Sequence, residues 1–491
     1  MFPLPQLEPR SEEPLYRQLF EHIRAAILSG RLERGERLPA TRELAGLLGL
    51  NRATVSAAYE LLEQEGLVKG HVGRGSFVNG GPSRVSGLDW SNLLRSSASS
   101  PSVPLSISES AISFATSRPS EQLFPLEEFR ASCEEVIASA GASEILQLGS
   151  PSGYAPLRRY LLEEAREAGI ARDGDDLQVT NGVQQALDLI QRVLAPSGET
   201  VLVEDPVYPG LKNLLTRGGA RLVGVPMGEE GVDLDALELA LHREKPRLVI
   251  LTPNFQNPTG ATLSLSARLK ILRMVRDARA VLVENDTYGE LRYHGEPLPS
   301  IKQLDESGDT ILLKSFSKIA FPGLRVGWVT GPKPLIVRLA EAKQSSDLHT
   351  DQLSQAVLLR FAESGRLAAH RARVLKAGAD RLAAVISACE SKLPAGSSFT
   401  RPQGGMNLWV KLPEPLDAGD LLARAHRENV SYLPGKFFSV SRHEPGTLRL
   451  SFAGLTPEKI RQGVAVLGQI FASELERARA ARDEAPASAL V

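Results

Sequence analysis

Four short apolar runs alternate with helical stretches between residues 199 and 317. The runs read ETVLVEDP, PRLVILTP, RAVLVEND and DTILLKSFS, and each begins a unit that contains a following helix. Such alternation predicts a mostly parallel sheet with helices on both faces. Ligands in that architecture bind at the carboxyl ends of the strands. The most informative polar residues of the chain are therefore expected at those ends.

The length and composition limit the remaining possibilities. At 491 residues, with 42% apolar and 23% charged residues, the chain is expected to fold into two or three domains rather than remain disordered. A formal net charge of -1 means that any nucleic-acid binding must come from a local patch. Cys133 and Cys389 are far apart, which predicts buried thiols in a reducing compartment and no metal site. Without a signal-like start or a long apolar run, a cytoplasmic location is expected.

A serine-rich stretch divides the chain. Fourteen serines and four prolines lie between Gly80 and Ser120, without a sustained helical or strand period. This composition predicts a linker at 80–113, between an N-terminal domain at 1–79 and a large domain at 114–471. The alanine- and charge-rich segment 472–491 is expected to be a flexible tail.

The N-terminal domain has the pattern of three helices and a hairpin. Apolar residues recur at spacing four along the first helix, at Leu15, Leu19, Ile23 and Ile27. A second pattern centres on Leu44, and a third begins after the capping residue Asn51. The segment LVKGHVGRGSFV then alternates and carries three glycines, which is typical of a two-stranded hairpin. Together these elements predict a winged helix-turn-helix.

Candidate DNA contacts lie on the third helix and around it. Arg52, Thr54 and Ser56 would lie on the helix face away from its buried side, where they suit base edges and phosphates. Further candidates for phosphate or minor-groove contacts are Arg42, His71 and Arg74. A solvated helix that carries an arginine is also common, and the pattern alone leaves that alternative open.

The N-terminal domain resembles the GntR family of DNA-binding domains from PLYRQLF to GRGSFV. The resemblance rests on the turn ERLPATRELA, on the start of the recognition helix at Arg52 to Val55, and on the segment EGLV that leads into the wing. It implies that DNA is a partner. By position it implies DNA contacts by Arg42, Arg52, Thr54, Gly73 and Arg74.

The strongest catalytic signal is the segment SFSKIAFPGLRVGW, which contains Lys318 at a strand end. A lysine can form an imine with an aldehyde, while Ser315, Ser317 and Arg325 can bind a phosphate. Taken alone, a lysine in a turn is far more often a solvated charge. The neighbouring motifs decide in favour of a cofactor site.

Seven other residues complete the candidate pocket. Asn257 in NPTG and Tyr288 in ENDTYGEL could contact the phenolic oxygen of a pyridoxal ring, and Tyr208 in EDPVYPG could stack on the ring. The segment Gly182, Val183 and Gln184 opens a helix after a strand and offers backbone N–H groups to a phosphate. Arg449 suits bidentate capture of a carboxylate. Taken singly, NPTG could be an ordinary turn, the two tyrosines could be packed core residues, and Arg449 could belong to a structural ion pair.

In this order and spacing the motifs resemble those of fold type I pyridoxal-phosphate aminotransferases, over roughly residues 114–471. The resemblance implies a three-layer α/β transferase domain with a smaller C-terminal α+β subdomain, and pyridoxal 5'-phosphate as the cofactor. It implies that Lys318 carries the internal aldimine and that Ser315 and Arg325 hold the phosphate. Tyr208 would stack on the ring, Asn257 and Tyr288 would contact the phenolic oxygen, and Arg449 would bind an α-carboxylate.

Three positions depart from that family. The aspartate that keeps the pyridine nitrogen protonated is expected where Asn285 stands, with Asp286 next to it. Adjacent strand residues face opposite sides, so Asp286 could serve only if the backbone is bulged. Leu148 replaces a tyrosine that reaches the phosphate of the neighbouring subunit, and Val183 replaces a hydroxyl residue. These departures predict cofactor binding with slow transamination.

The combination of a GntR head and an aminotransferase-like body resembles the MocR subfamily of bacterial transcription regulators over nearly the whole chain. The resemblance implies a regulator that senses pyridoxal phosphate or an amino compound through Lys318, and a head-to-tail homodimer that reads two DNA half-sites. The alternative is an active aminotransferase of amino acids with an attached DNA-binding domain. The predicted protein is thus a regulator with possible residual transaminase activity.

Overall fold

The computed structural model separates the chain into two compact units, residues 1–102 and 103–491. The structure describes residues 13–71, 75–80, 111–441 and 443–484, with a few single positions outside these ranges. Most of the predicted linker, at 81–89 and 91–110, lies outside the described residues. Within the described part of the chain, no helix is both long and apolar enough to span a bilayer.

The N-terminal unit contains the predicted three helices and hairpin. The helices are α1 (Leu15–Leu28), α2 (Thr41–Leu48) and α3 (Arg52–Gln64). The strands β1 (Val68–His71) and β2 (Gly75–Val78) pair antiparallel. The described elements confirm the winged helix-turn-helix prediction.

Local sequence signals explain this small fold. Leu19, Ile23 and Ile27 are fully buried along α1, because a spacing of four keeps them on one side of the helix. Gly49 adopts a left-handed conformation (φ 64°) after α2, which glycine does without a steric penalty. Asn51 then caps α3 by accepting a hydrogen bond from the backbone N–H of Ala53 at 3.0 Å. The turn between α2 and α3 is therefore set by two adjacent local signals.

An eight-stranded sheet forms the centre of the second unit. Its strands are β4 (Asp175–Thr180), β5 (Thr200–Asp205), β6 (Arg221–Gly228), β7 (Gly231–Val232), β8 (Leu248–Leu251), β9 (Val281–Asn285), β10 (Ile311–Ser315) and β11 (Gly327–Pro332). Their spatial order is β4-β11-β10-β9-β8-β5-β6-β7. The pairs from β10 to β6 are parallel, while β11 runs antiparallel to both of its neighbours. The prediction of a mostly parallel sheet is confirmed.

Helices cover both faces of this sheet. The helices of the large domain are α4 (Leu126–Ile137), α5 (Ala142–Ile145), α6 (Ala155–Glu167), α7 (Gly182–Leu194), α8 (Pro209–Arg217), α9 (Leu234–Glu244), α10 (Leu265–Asp277), α11 (Ile301–Leu304), α12 (Lys333–Asp347) and α13 (Gln352–Glu363). One apolar core joins alternate strand residues to α7, α8 and α12, and a second core joins the opposite sheet face to α9 and α10. These two cores explain why the strands are apolar on both faces.

A smaller α+β subdomain follows at the C-terminal side. The antiparallel sheet has the order β12-β13-β16-β15 and consists of β12 (Ser398–Phe399), β13 (Asn407–Lys411), β15 (Leu433–Pro434) and β16 (Thr447–Ser451). Its helices are α14 (Arg366–Lys392), α15 (Ala418–Arg427) and α16 (Pro457–Glu484). The strand β3 (Ile112–Ser113) pairs parallel with β14 (Val430–Ser431), so the last two residues of the predicted linker belong to this subdomain.

The predicted flexible tail starts too early. The helix α16 continues through Glu484, and Leu475 is buried in the core of the C-terminal subdomain. Glu474 also forms an ion pair with Arg424. The prediction of a tail from residue 472 is wrong, because an alanine- and charge-rich composition also suits a helix that packs one side against a core.

Candidate functional site

The candidate cofactor residues meet at one edge of the large sheet. Lys318 ends a short 3-10 turn directly after β10, and Asn285 is the last residue of β9. Asn257 follows β8, and Tyr208 follows β5. Gly182 follows β4 and begins α7. The carboxyl ends of parallel strands thus bring together residues that are far apart in sequence.

Lys318 is half-buried, and among the described residues its amine contacts a backbone carbonyl and an aromatic ring rather than an acid. Its Nζ donates to the backbone carbonyl of Ser117 at 2.9 Å and lies 5.6 Å from the ring centroid of Tyr288. Burial lowers the pKa of Lys318 to about 8, and the charges of Arg449 and Arg325 act in the same direction. A substantial fraction of the amine is therefore neutral near physiological pH, as attack on an aldehyde requires.

A chain of polar contacts leads from Tyr288 to Arg449. The Nδ2 of Asn257 donates to the Tyr288 hydroxyl at 3.3 Å, and the Nη1 of Arg449 donates to Asn257 Oδ1 at 3.1 Å. Arg449 also donates to the carbonyl of Ala115 and lies over the ring of Phe438. Burial lowers the pKa of Arg449 to about 10. Its Nε has no partner among the described residues, so the buried guanidinium keeps a free donor.

A second polar group forms where β10, β11 and α7 meet. The hydroxyl of Ser315 donates to Ser317 Oγ at 2.9 Å, and Arg325 Nη2 lies 3.3 Å from the carbonyl oxygen of Asn181. A Cβ atom at Gly182 would lie 2.4 Å from Arg325 Nη2, so only glycine allows this approach. Hydroxyl groups, a guanidinium and the amino end of α7 are the donors that phosphate prefers in proteins.

The remaining predicted contacts flank this group. Val183 is half-buried and Gln184 is exposed in the first turn of α7, and Gln184 Nε2 donates to the carbonyl of Gly210 at 3.1 Å. Tyr208 remains substantially exposed, at 42%, so part of its side chain is accessible to a ligand. Leu148 is also exposed, at 71%. It leaves a large apolar side chain at the surface of this subunit.

Asn285 and Asp286 face opposite sides of the sheet. Asn285 pairs with Leu313 of β10, which places it on the α7 face together with Ser315. Its Oδ1 is buried without a partner among the described residues. Asp286 instead accepts a hydrogen bond from Asn254 Nδ2 at 2.8 Å on the other face.

The contact predicted for Asp286 therefore has no support in the strand geometry. The Oδ1 of Asn254 accepts a hydrogen bond from Arg268 of α10 at 2.6 Å, and the Asp286 side chain belongs to this buried network. The bulge that would turn Asp286 toward Lys318 is not seen in β9, since this strand pairs with β10 in regular register through Asn285. Asn285 lies on the same sheet face as its β10 partner Leu313.

Three functional contacts were missed from the sequence. Ser117 and Asn407 lie close enough to the Tyr288 hydroxyl to lower its pKa, against the stronger effect of burial, which raises it. The carbonyl of Ala115 binds Arg449. Ala115 and Ser117 follow β3 at the end of the serine-rich stretch, and the composition of that stretch does not indicate a binding site. Asn407 begins β13, and a buried asparagine in the otherwise apolar strand NLWV is the one signal that was available.

The DNA-binding candidates of the N-terminal unit lie on and beside α3. Arg42 and Arg52 are exposed near the amino ends of α2 and α3, and neither forms an ion pair within the described ranges. Thr54 and Ser56 are half-buried, while Val55 between them is fully buried. The structure thus keeps the two arginines accessible from solvent.

The wing candidates can be placed only in part. His71 is the last residue of β1, and its Cα lies opposite Gly75 of β2. Gly73 and Arg74 lie outside the described residues. Their predicted contacts with DNA stay predictions.

Each of the two units matches a known protein family. The family Aminotransferase class I and II matches residues 119–467, and the family of bacterial regulatory proteins called gntR matches residues 15–78. The chain belongs to the class I and II aminotransferase family. Its N-terminal unit is a GntR-type helix-turn-helix domain, and the combination is the MocR-like architecture.

Two regulators match almost the entire chain. The HTH-type transcriptional regulator YdcR of Escherichia coli is 31% identical over 94% of this chain and 99% of its own length. The probable rhizopine catabolism regulatory protein MocR of Rhizobium meliloti is 29% identical over 97% of this chain and 99% of its own length. The similarity extends across both units and the segment between them.

The aminotransferase body is also similar to enzymes. The 2-aminoadipate transaminase of Thermus thermophilus is 39% identical over 73% of this chain and 89% of its own length. The crystal structure of LysN, the α-aminoadipate aminotransferase of Thermus thermophilus, superposes with a TM-score of 0.70 at 38% identity, over 74% of this chain and 93% of that one. LysN in that structure is complexed with N-(5'-phosphopyridoxyl)-L-leucine.

Pyridoxal phosphate is the cofactor of the class I and II aminotransferase family, and the residues of this chain fit it. The Oδ1 of Asn285 and the Nε of Arg449 are buried and unpartnered within the described ranges, so each can bond to a bound group. Glycine at position 182 leaves room beside Arg325, and Lys318 provides the amine. At the position where the family has an aspartate beside the pyridine nitrogen, this chain has the neutral amide of Asn285.

Proposed function

We propose that this protein is a DNA-binding transcriptional regulator whose aminotransferase-like body senses pyridoxal phosphate, or an amino compound attached to it, through Lys318. The observation that carries the proposal is that one chain combines a GntR-type head with an aminotransferase-family body in which Lys318 lies beside Tyr288 and its partner Asn257. The full-length similarity to MocR-type regulators supports it.

The roles of the pocket residues follow from their positions. Pyridoxal phosphate, when bound, supplies an electron sink beside its aldehyde carbon. Lys318 would attach at that carbon, and Arg325, Ser315 and the amino end of α7 would hold the phosphate. Asn257 and the hydroxyl group of Tyr288 would orient the cofactor ring by contacting its phenolic oxygen.

Arg449 provides the most direct route for an effector to act. Its guanidinium is buried beside Asn257, and it can bind the carboxylate of an amino acid that replaces Lys318 at the cofactor. Arg449 would then hold the carboxylate, and the Lys318 amine would be free of the cofactor. The pocket would thus have different contacts with and without the amino acid, and a ligand-controlled switch requires such a difference.

An active aminotransferase is the second candidate function. Lys318, Asn257, Tyr288 and Arg449 form a continuous set of contacts, and the body is similar to transaminases at 36% to 39% identity. Asn285 argues against rapid turnover, because a neutral amide does not stabilise a protonated ring nitrogen as a carboxylate would. The regulator is therefore the better-supported function.

We further propose a homodimer in which each body pairs with a second copy of the chain. Large apolar side chains are exposed along α4 and α5 and just beyond them, at Leu126, Ile137, Leu146 and Leu148. Exposed apolar side chains concentrated in one segment are typical of protein interfaces. A symmetric pair of heads would read two half-sites.

The sensing proposal is tested with purified full-length protein and a DNA fragment from upstream of its own gene. Pyridoxal phosphate should produce an absorbance band near the visible edge, and an effective amino compound should change both this band and the affinity for the DNA. A ligand-dependent change in DNA affinity without multiple turnover supports the regulator. Robust multiple turnover with a keto acid, without any effect on DNA binding, would instead establish the enzyme.

A further inference from the structure

The helix α7 lacks the side-chain cap that its N-cap residue would normally provide. Asn181 is that residue, yet its side chain accepts no hydrogen bond from the first turn of the helix. Elsewhere in the large domain, the side chains of Asp233, Ser264 and Asp351 cap α9, α10 and α13. Asparagine is one of the strongest capping residues. Its side chain nevertheless leaves the backbone N–H groups at the amino end of α7 unoccupied.

An acid at the end of α12 holds the Asn181 side chain instead. The Nδ2 of Asn181 donates to Asp347 Oδ2 at 2.6 Å, and Asp347 is the last residue of α12. Gln185 of α7 supports the same arrangement. Its Nε2 donates to Asp347 Oδ2 at 2.6 Å, and its Oε1 accepts the backbone N–H of Asn181 at 2.8 Å. Asn181 is thus held through both its side chain and its backbone N–H.

A buried lysine completes this network. Lys343 of α12 is fully buried, and its Nζ contacts the two carboxylate oxygens of Asp347 at 2.7 and 2.9 Å. It also donates to Gln185 Oε1 at 2.9 Å. An unbalanced carboxylate near a phosphate would repel it. Because Lys343 balances the charge of Asp347, the network holds Asn181 without adding a net negative charge.

Asn181 also contacts the donors assigned to the cofactor phosphate. Its backbone carbonyl accepts a hydrogen bond from Arg325 Nη2 at 3.3 Å, and Gly182 follows it directly. A side chain that caps a helix occupies the N–H groups that an anion at the helix amino end also needs. The Asn181 side chain and the cofactor phosphate are therefore alternative acceptors for the same donors.

We propose that Asp347 is a positioning residue for the cofactor, because it withdraws the Asn181 side chain from α7 and keeps the helix amino end open for the phosphate. Lys343 and Gln185 hold Asp347 in this role. Without the pair of Lys343 and Asp347, Asn181 caps its own helix and competes with the phosphate. This inference rests on the proposed placement of the phosphate at α7, and it extends the phosphate site to α12.

Two ligands that differ in the phosphate test the role of the network. Full-length apo protein is titrated with pyridoxal phosphate and with pyridoxal, and the absorbance band gives the half-saturating concentration of each. The variant Lys343→Met/Asp347→Leu removes both charges together, so neither is left buried without a partner. Its half-saturating concentration of pyridoxal phosphate should rise about threefold to thirtyfold, the range over which side-chain caps act. That of pyridoxal should stay within about twofold, because pyridoxal has no phosphate that competes with Asn181.

A third substitution distinguishes competition by Asn181 from general damage. Asn181→Ala, added to the variant without the charged pair, removes the competing cap, so most of the lost affinity for pyridoxal phosphate should return. Arg338→Gln is the matched control on α12, since Arg338 is exposed and pairs with Glu341. It should leave both titrations unchanged.

The outcomes separate this inference from the function on which it rests. An unchanged affinity for pyridoxal phosphate in the variant without the charged pair would overturn the role of Asp347, since Asn181 would then not compete with the phosphate. Equal weakening of both ligands would overturn it too, and so would a failure of Asn181→Ala to restore binding. If neither ligand gives a band with the unchanged protein, cofactor attachment at Lys318 fails, and the proposed function fails with it.

Discussion

The candidate functional cations of the head and of the body differ in their exposure to solvent. Arg42 and Arg52 of the head are exposed at helix amino ends, whereas Arg381 and Arg449 of the body are buried and Lys318 is half-buried with a lowered pKa. Exposed arginines remain hydrated and can bind the phosphates of a long DNA ligand. Buried cations are held at fixed positions and have lowered pKa values, which suits covalent capture and the recognition of a small anion. The difference assigns macromolecular binding to one unit and chemistry to the other.

The most severe test of this division is Lys318→Ala. We expect the variant to lose the absorbance band of the covalently attached cofactor completely, because no other described lysine lines the cavity beside Tyr288. DNA binding by the head should persist, although its response to amino compounds should disappear. Spectroscopy and a DNA-binding titration on the same sample provide the measurement. A band that survives in Lys318→Ala would contradict the assignment of the amine.

The pH dependence of cofactor capture tests the burial of Lys318. Its folded-state pKa of about 8 lies below the usual lysine value, so the neutral amine decreases as the pH falls through about 8. The initial rate of capture by the apo protein should then fall about tenfold for each pH unit below that value, or about a hundredfold by pH 6. Stopped-flow absorbance measures this rate. A midpoint near the usual lysine pKa would show that the amine is solvated.

Arg52→Ala tests the other half of the comparison. Arg52 is exposed at the first position of α3, and loss of a bidentate base contact should weaken operator binding by about tenfold to a hundredfold. The cofactor spectrum should not change. Fluorescence anisotropy with labelled DNA measures the affinity, and Arg17→Ala on α1 is the control. Equal losses in the two variants would indicate only nonspecific electrostatics.

Asn285→Asp asks whether one neutral residue limits the chemistry of the body. A carboxylate on the α7 face of β9 would stabilise a protonated ring nitrogen, raising the pKa of that nitrogen by about 1 or more. We expect a shifted pH titration of the cofactor absorbance and faster reaction with amino acids. Asp286→Asn is the companion variant and should leave the titration in place, since Asp286 contacts Asn254 on the opposite face. The reverse pattern would reassign the ring contact.

The smallest expected effect is that of Tyr208→Phe. The ring of Tyr208 is substantially exposed, and stacking uses its face rather than its hydroxyl. Phenylalanine should therefore keep the cofactor affinity within about twofold, while alanine should weaken it by about tenfold. Equilibrium dialysis of the cofactor measures both. A large loss in Tyr208→Phe would assign a hydrogen bond to the hydroxyl group.

Local patterns predicted the head well, because its elements depend on nearby residues. The spacing of Leu19, Ile23 and Ile27 determines the buried side of α1, and Asn51 caps α3 through a residue two positions away. Composition was a weaker guide where packing decides. The segment from residue 472 looked flexible, yet Leu475 is buried and the helix continues to Glu484.

The cofactor pocket shows the same contrast at the level of single residues. Motifs identified Lys318 and Arg325 because both lie in one short segment. The contact between Lys318 and the Ser117 carbonyl joins residues 201 positions apart, and no local pattern could have revealed it. Arg381 was overlooked for the same reason, since only the packing of α14 brings it into the cavity beside Lys318.

By itself, the sequence determined the class of each unit and predicted the alternation of strands and helices in the large domain. It also predicted candidates for a cofactor amine, a phosphate-binding segment and a carboxylate-binding arginine. These features depend on short-range periodicity, capping and motif spacing. Only the tertiary structure showed that Asp286 contacts Asn254 on the face opposite Asn285, that the surroundings of Lys318 lower its pKa, and that Arg381 lines the same cavity as Lys318. Side-chain direction and desolvation depend on all the elements packed around a residue, and residues distant in sequence provide most of them.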